Sequence, residues 1–575
     1  MNVSVWAPSA ASVELVTADR RMALSPQADG QWQGEVDASL LAGGYRYSID
    51  GGAPIPDPRS RWQPEGVHGA SYATGPLRPD PERDAVAFRP PPLRDAVIYE
   101  LHVGTFTPEG TYAAAQAKLA HLTQLGISHV ELMPLATFPG RRGWGYDGVD
   151  LFAPFPAYGK PQELAALVDA CHAVGLGVLL DVVYNHLGPD GNYLARFGPY
   201  FTDKYHTPWG DAVNYDGAHS DAVRRYVIDN ALMWLRDYGF DGLRLDAVHA
   251  IFSFGAVHVL EELAVAVRKL GEETHRSLVL IAESDLNDPR LVQPPSRGGF
   301  GLDAHWCDDF HHALHRFFTG ESDGYYADFR GLEDVAKALR NGYVYRGQYS
   351  AFRMRRHGRP PAGVDADQIV VSSQNHDQIG NRAQGERLSM MRGLPELKAI
   401  AALTLLSPFV ALLFQGEEWG ARTPFLYFTD HENVELGRLV AEGRSREFSS
   451  FRWQGAVPNP QEMSTFERSK LDWSELPQPH HAELFDWYRR LIRLRRERSA
   501  RATGRAKAAV KIDAGGGWLT FRHGELLCVF NFAAQAQRVR MPSGAWDLLM
   551  QSDSQEAPPV DRVPARATLV YRRRK

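Results

Sequence analysis

Cysteine is almost absent. The 575 residues contain three, Cys171, Cys307 and Cys528, widely spaced along the chain. So sparse and odd a set excludes a disulfide framework and suits free thiols in a reducing compartment. No apolar run reaches the roughly 18 residues that a membrane span needs. Charge of neither sign is in excess: 63 Lys and Arg stand against 69 Asp and Glu, a net charge of −6. That balance gives no reason to expect nucleic acid or an acidic membrane as a partner. A charged-then-apolar leader is also missing, since the chain opens directly on Val3-Ser-Val-Trp-Ala-Pro8. The expected location is therefore the cytoplasm. No internal period of solenoid length is visible.

What is present is apolar and aromatic. Apolar residues make up 44% and aromatic residues 11%, enough for large cores over a length that predicts about three domains. Residues 1–88 alternate in short runs (Val3–Trp6, Val13–Val16, Trp32–Val36, Tyr45–Ile49) separated by Gly- and Asp-containing turns. This is the pattern of a small β-sandwich, with Trp6, Trp32 and Tyr45 as core. The Pro-rich Arg89–Leu93 ends it. From 89 to 500, buried-type strands alternate with helical stretches, among them Pro161–Ala173, Ser220–Tyr238 and Val257–Leu270. Such alternation predicts an α/β fold with a parallel sheet closed into a (β/α)8 barrel. Residues 501–575 return to short strands and a second β-sandwich, and Arg572–Lys575 reads as a solvated tail.

Four of the buried runs end in groups that do chemistry. Leu176–Asp181 leads to Asn185-His186, Gly239–Leu245 to Asp246, Leu278–Ala282 to Glu283, and Ile369–Ser373 to His376-Asp377. Arg244 and Asp246 are two residues apart, so on a strand they share a side, and the guanidinium favours an ionised carboxylate suited to nucleophilic attack. Alone, this would be a strand-end ion pair. Four such ends together are how a barrel assembles an active site.

In order, the four segments resemble the signature regions of glycoside hydrolase family 13, the α-amylase family. That resemblance implies a retaining glycosidase with Asp246 as nucleophile, Glu283 as general acid/base and Asp377 as the transition-state-stabilising carboxylate. It implies substrate binding by His186, Arg244 and His376, and a structural carboxylate at Asp181. Tyr146, in the loop Arg142–Asp150, matches the family's sugar-stacking tyrosine. His249 stands where α-amylases carry a lysine. A long insertion, about 187–217, carries Phe197, Tyr200, Phe201, Tyr205, Trp209 and Tyr215 as candidates for outer sugar subsites.

Other patterns carry less. Gly320–Gly324 has the spacing of a hydrolase nucleophile elbow, but a helical stretch precedes it in place of a strand. His311 and His315 have the i, i+4 spacing of a metal pair without a third ligand. Asn185 matches a calcium ligand of many α-amylases, but its companion ligands cannot be placed, and no cofactor is expected.

Within the family, three stretches resemble its trehalohydrolase branch: Gln374–Arg382, Trp306–His312 and Phe414–Gly420. This implies hydrolysis of the α-1,4 bond next to the terminal trehalose of maltooligosyltrehalose, with that molecule and related α-glucans as partners. A 1,4-α-glucan branching transferase is the alternative, using the same three carboxylates. The loops at Trp306–His312 and Tyr343–Arg356 are the candidates for recognising the trehalose end.

Overall fold

The computed structural model describes residues 1–78, 88–447, 457–499, 508–553, 559 and 562–574. The expected domain limits, 88/89 and 500/501, adjoin segments 79–87 and 500–507, which lie outside the described residues.

Eight parallel strands close into a barrel in chain order. They are β1 (Val97–Leu101), β2 (His129–Leu132), β3 (Gly177–Val182), β4 (Gly242–Leu245), β5 (Val279–Ala282), β6 (Ala304–Trp306), β7 (Ile369–Ser372) and β8 (Val410–Phe414). The helices between them begin and end on ordinary signals. Pro161 opens Pro161–Ala173 with Glu163 bonding back to the Lys160 N–H, and Gly126 in left-handed conformation ends Leu119–Leu125. Between β1 and β2 the helical stretch is two helices, Tyr112–Gln116 and Leu119–Leu125, broken at Ala117-Lys118, and the sixth strand is the short run Ala304–Trp306. Gly301 has φ +73 and is spent on the turn before it.

Strand alternation divides each strand between two environments. Val97, Tyr99 and Leu101 of β1, and Leu243 and Leu245 of β4, pack outward against the helices. Ile98, Leu179, Ile281, Ala304, Val370 and Leu412 form a separate apolar layer inside the barrel. Two residues further along β1, β3 and β5, the same inward side carries Glu100, Asp181 and Glu283. Arg244 of β4 pairs in register with Asp181 and Ile281, and Glu131 of β2 pairs with Leu179 and Glu100. The barrel therefore has an apolar floor and a charged upper layer at the C-terminal ends of its strands.

Two three-stranded antiparallel sheets precede the barrel, Asn2–Trp6 with Gln31–Glu35 and Ser25–Pro26, and Arg21–Ala23 with Val13–Thr17 and Tyr45–Ile49. Trp6, Trp32 and Tyr45 are buried, and Trp6 meets Tyr200 of the insertion edge-on at 5.2 Å. Tyr226 donates to the Pro58 carbonyl (2.9 Å), tying the same face to a barrel helix. After the barrel comes the helix Pro479–Ser499 and a five-stranded antiparallel sheet, with a separate two-stranded pair. The solvated-tail reading of the C-terminus is corrected here. Arg572 and Arg573 belong to the strand Thr568–Arg573, and Arg572 is ion-paired to Glu497 (2.8 Å) and Glu525 (3.2 Å); Lys575 lies outside the described residues. The strand forms because Leu569, Val570 and Tyr571 are buried in the sheet.

Trp6→Ala should cost about 3–5 kcal/mol of stability, the range for truncating a buried large aromatic. A lower urea midpoint relative to wild type, with secondary structure retained in the absence of denaturant, is the expected observation.

Candidate active site

The charged layer converges on Arg244, which is fully enclosed. Its Nη1 donates to both Asp181 oxygens (2.9 and 2.9 Å) and to Asp246 Oδ1 (2.8 Å), and its Nη2 lies 3.8 Å from Glu283 Oε2. The face of Trp306 covers the guanidinium at 4.3 Å, a cation–π contact. Asp246 follows the last residue of β4, and Ala247 then takes a left-handed conformation (φ 39). That turn aims the Ala247 N–H at Glu283 Oε2 (2.6 Å). Asp246 and Glu283 therefore share one guanidinium and adjoin one backbone amide.

Asp246 is held from its other side by Asn185, whose amide nitrogen donates to its Oδ2 (2.7 Å) and its carbonyl (2.9 Å). The Asn185 oxygen takes His186 Nδ1 (2.5 Å). The Asn185 amide is thus committed within the chain. Trp209, carried over from the insertion's hairpin (Phe201–Thr207 and Gly210–Val213), stacks on His186 at 4.2 Å and 5°.

A second line of contacts reaches the same centre. The Tyr146 hydroxyl donates to Asp181 Oδ2 (2.6 Å) and meets His376 Nε2 at 2.7 Å, with the two rings stacked at 5.2 Å. His376 Nδ1 bonds Glu100, which also accepts the His376 backbone N–H (3.1 Å). Burial alone would lower the His376 pKa, but the Glu100 and Asp377 carboxylates outweigh it and bring it to about 9. A protonated His376 donates to Glu100 and to Tyr146, which leaves the Tyr146 proton for Asp181. Asp377 keeps its carboxylate 41% exposed, with Asn381 Nδ2 at 3.3 Å and His376 Nε2 at 3.5 Å.

Burial raises Glu283 well above the ordinary carboxyl range, and the Asp246 charge adds to this while Arg244 opposes it. Burial likewise raises Asp181 to about 7, against the pull of Arg244. A neutral carboxyl beside an arginine-held carboxylate is the pairing that acid-assisted displacement at an acetal requires.

An alpha-amylase catalytic-domain model matches residues 85–207. A malto-oligosyltrehalose trehalohydrolase from Rhizobium sp. (strain M-11) is 49% identical over 561 residues, covering 96% of this chain and 93% of its own. The chain belongs to the malto-oligosyltrehalose trehalohydrolase family. A Salmonella typhimurium protein, solved as a candidate alpha amylase, superimposes with a TM-score of 0.90 at 36% identity, covering 100% of this chain and 97% of its own. A 1,4-alpha-glucan branching enzyme from Corynebacterium jeikeium is more distant, at 26% identity over 96% of this chain and 76% of its own.

In this trehalohydrolase-family chain, Tyr146, Asp181, His186, Arg244, Asp246, Glu283, His376 and Asp377 are joined in one network of contacts at the C-terminal ends of the barrel strands, His186 through Asn185. His249 is exposed on the short turn Val248–Ala250 just past Asp246. Trp306 is not on a loop: it ends β6, is buried, and the stretch after it is the helix Asp308–Thr319. Tyr343 is also interior, bonded to His305 Nε2 (2.7 Å), whereas Arg355 and Arg356 are exposed on the hairpin Arg346–Ser350 and Arg355–Gly358. His311 bonds the Ser373 carbonyl and Tyr326, and His315 bonds Glu321 (2.7 Å). Among the described residues no group of three or more His, Cys, Asp or Glu is placed to hold a metal ion.

Glu100, Glu131 and Asn185's bond to Asp246 escaped the sequence reading. Glu100 and Glu131 each interrupt an otherwise apolar strand, a signal that could have marked them. The histidine proton makes a testable electrostatic element. Because its folded pKa (about 9) exceeds the ordinary 6.5, His376 contributes stability that is full below about pH 6.5 and is lost as pH rises through about 9. Glu100→Gln should bring the imidazole titration seen by NMR down toward 6.5. The stability difference between wild type and variant should then shrink across that interval.

Proposed function

We propose that the chain is a retaining glycosidase that hydrolyses the α-1,4-glucosidic bond next to the terminal trehalose of maltooligosyltrehalose. The products are trehalose and a maltooligosaccharide, a step of trehalose biosynthesis in the cytoplasm. The observation that carries the reading is the Arg244-centred pair, Asp246 and Glu283, in a chain nearly half identical, over almost its full length, to a malto-oligosyltrehalose trehalohydrolase. Free, buried cysteines support a reducing compartment, and among the described residues no helix is long and apolar enough to cross a membrane.

Glu283, kept neutral by burial, gives its proton to the glycosidic oxygen as that bond breaks. Asp246, ionised and held by Arg244 and Asn185, attacks the anomeric carbon and forms a glycosyl ester. Glu283, now a carboxylate, takes a proton from water, whose oxygen displaces Asp246 from the same carbon. Two inversions leave the configuration retained. Asp377, with most of its acceptor capacity uncommitted, grips the hydroxyls of the sugar under attack, and His376, whose two N–H groups are held by Glu100 and Tyr146, stands beside it. Tyr146 and His186 border that ring, and Trp209 with His249 extend the wall. The open Asp377 carboxylate contrasts with Asp181, whose oxygens are spent on Arg244 and Tyr146, which is why Asp181 serves the framework.

Incubation with maltotriosyltrehalose should yield maltotriose and trehalose. New α-1,6 linkages without free trehalose would instead favour the branching transferase. Glu283→Gln should lower kcat on this substrate by roughly 10²–10⁴-fold, the usual contribution of a general acid. Asp246→Asn should remove turnover while leaving substrate binding measurable. In the wild type, kcat should fall on the alkaline side as Glu283 loses its proton, since its raised pKa sets that limb.

A further inference from the structure

The helix Pro479–Ser499 packs against the helix Leu119–Leu125, and a cavity of about 440 Å³ opens between them. It lies at the other end of the barrel from the active site. Gly126 lines the cavity and ends the shorter helix just before β2 begins at His129. The cavity therefore adjoins the N-terminal ends of the strands, whereas Asp246 and Glu283 stand past the C-terminal ends of β4 and β5. Nothing in the mechanism above draws on it.

One run of the longer helix supplies its charged wall: Arg489, Arg490, Arg493 and Arg496. Steps of three and four residues make them neighbours on the helix surface, where like charges repel. Their place in the last turns, where the macrodipole favours cations, offsets part of that repulsion without neutralising it. The acids near by are already engaged. Asp486 takes Arg489 (2.6 Å), and Glu497, the one carboxylate among the described lining residues, takes Arg572 (2.8 Å). Arg490, Arg493 and Arg496 are left with no hydrogen bond or ion pair among the described residues. A solvated arginine face would share this charge. What sets the present one apart is concavity over an apolar floor, made by the buried Leu125 and Ile492, with the exposed Gln124 amide at its edge.

We propose that this cavity binds a small organic phosphate. Guanidinium forks match phosphate oxygens in pairs, so Arg490, Arg493 and Arg496 hold the phosphate. Leu125 and Ile492 pack against the carbon skeleton, and Gln124 offers a donor and an acceptor to its hydroxyls. The volume lies in the range of small-molecule sites. Because the cavity is at the opposite end of the barrel from Asp246, its ligand is distinct from the substrate under cleavage, and the inference stands or falls separately from the glycosidase reading.

The test titrates the full-length protein with glucose 6-phosphate, inorganic phosphate and glucose at constant ionic strength, by calorimetry and by thermal unfolding. Glucose 6-phosphate should bind one site per chain and raise Tm, since a ligand of the folded state stabilises it. Inorganic phosphate should bind more weakly, and glucose should leave Tm unchanged. Arg493→Gln and Arg496→Gln should each weaken the glucose 6-phosphate Kd roughly tenfold or more, the value of a hydrogen bond between charged groups. Both side chains are exposed, so these variants should keep the fold. Arg236→Gln, which removes an exposed arginine from a different helix, should leave Kd unchanged. Absence of binding at millimolar glucose 6-phosphate would overturn the proposal. So would equal affinity in wild type and both cavity variants, or equal weakening by Arg236→Gln, which would reveal a general charge effect. Equal affinity for inorganic phosphate and glucose 6-phosphate would overturn the assignment of an organic ligand.

Discussion

A guanidinium enclosed in a barrel must be paid for by carboxylates, and Arg244 sets the terms for everything around it. An unpaired cation at a site with no solvent exposure would cost several kcal/mol even after relaxation. Asp181 and Asp246 supply the charge, Trp306 supplies a ring face, and Glu283 stands at the guanidinium's remaining corner. Asp246 is therefore fixed as an anion's position by what lies beneath it. In the proposed mechanism the nucleophile must reach one carbon atom within a fraction of an ångström and gains from such a foundation, because the orientation is settled before substrate arrives.

The arrangement also sorts the acids. Glu131 sits beneath the site with both carboxyl oxygens lacking a hydrogen-bond partner among the described residues, and burial raises its pKa far above the ordinary range. Neutral, it does not compete with Asp181 and Asp246 for the arginine. Glu283 is neutral for the same physical reason but occupies the rim, where its proton can be used. Burial, with neighbouring carboxylates adding to it, thus raises both acids, and their difference is height along the barrel axis. The left-handed Ala247 belongs to the same economy. A non-glycine residue in that region costs about 1–3 kcal/mol, and what the strain secures is an amide aimed at Glu283.

Period and composition made the barrel legible. Short branched runs ending in Asn-His, Asp, Glu and His-Asp are enough to order β3, β4, β5 and β7 and to predict that their ends converge, because the side-chain period of two leaves each strand's last inward residue at the rim. The contacts that cross between strands were not legible. Glu100 and His376 are 276 residues apart, and Asn185 and Asp246 are 61 apart. Nothing local in either partner marks the other, since register between strands is set by closure of the whole sheet. Trp306 was misplaced for a related reason: a tryptophan beside Cys-Asp-Asp reads as a polar loop, yet the strand it ends has an arginine to cover. Arg572-Arg573 reads as a tail because a charge run masks the end of a strand whose apolar part, Leu569–Tyr571, is only three residues long; the strand itself is paired on both sides in its sheet.

The catalytic layer uses positions that any barrel of this family can fill, so it cannot by itself discriminate among glucans that share an α-1,4 bond. Discrimination has to come from groups standing above the strand ends, and in this chain those arrive on three separate supports. The insertion's hairpin brings Trp209 to His186, the turn after Asp246 exposes His249, and the helix Asp308–Thr319 follows β6. Of these, the helix is tied to the barrel at two points. It is anchored through Asp309 to Asn287 and to the backbone of Val344 and Tyr345, and through His311 to the Ser373 carbonyl at the end of β7. A rigid support suits the recognition of a non-reducing disaccharide, whose two rings are joined through both anomeric carbons and have little freedom to adapt. The more exposed hairpin suits the opposite task, a glucan chain of variable length that needs a surface to lie against more than a fixed set of hydrogen bonds.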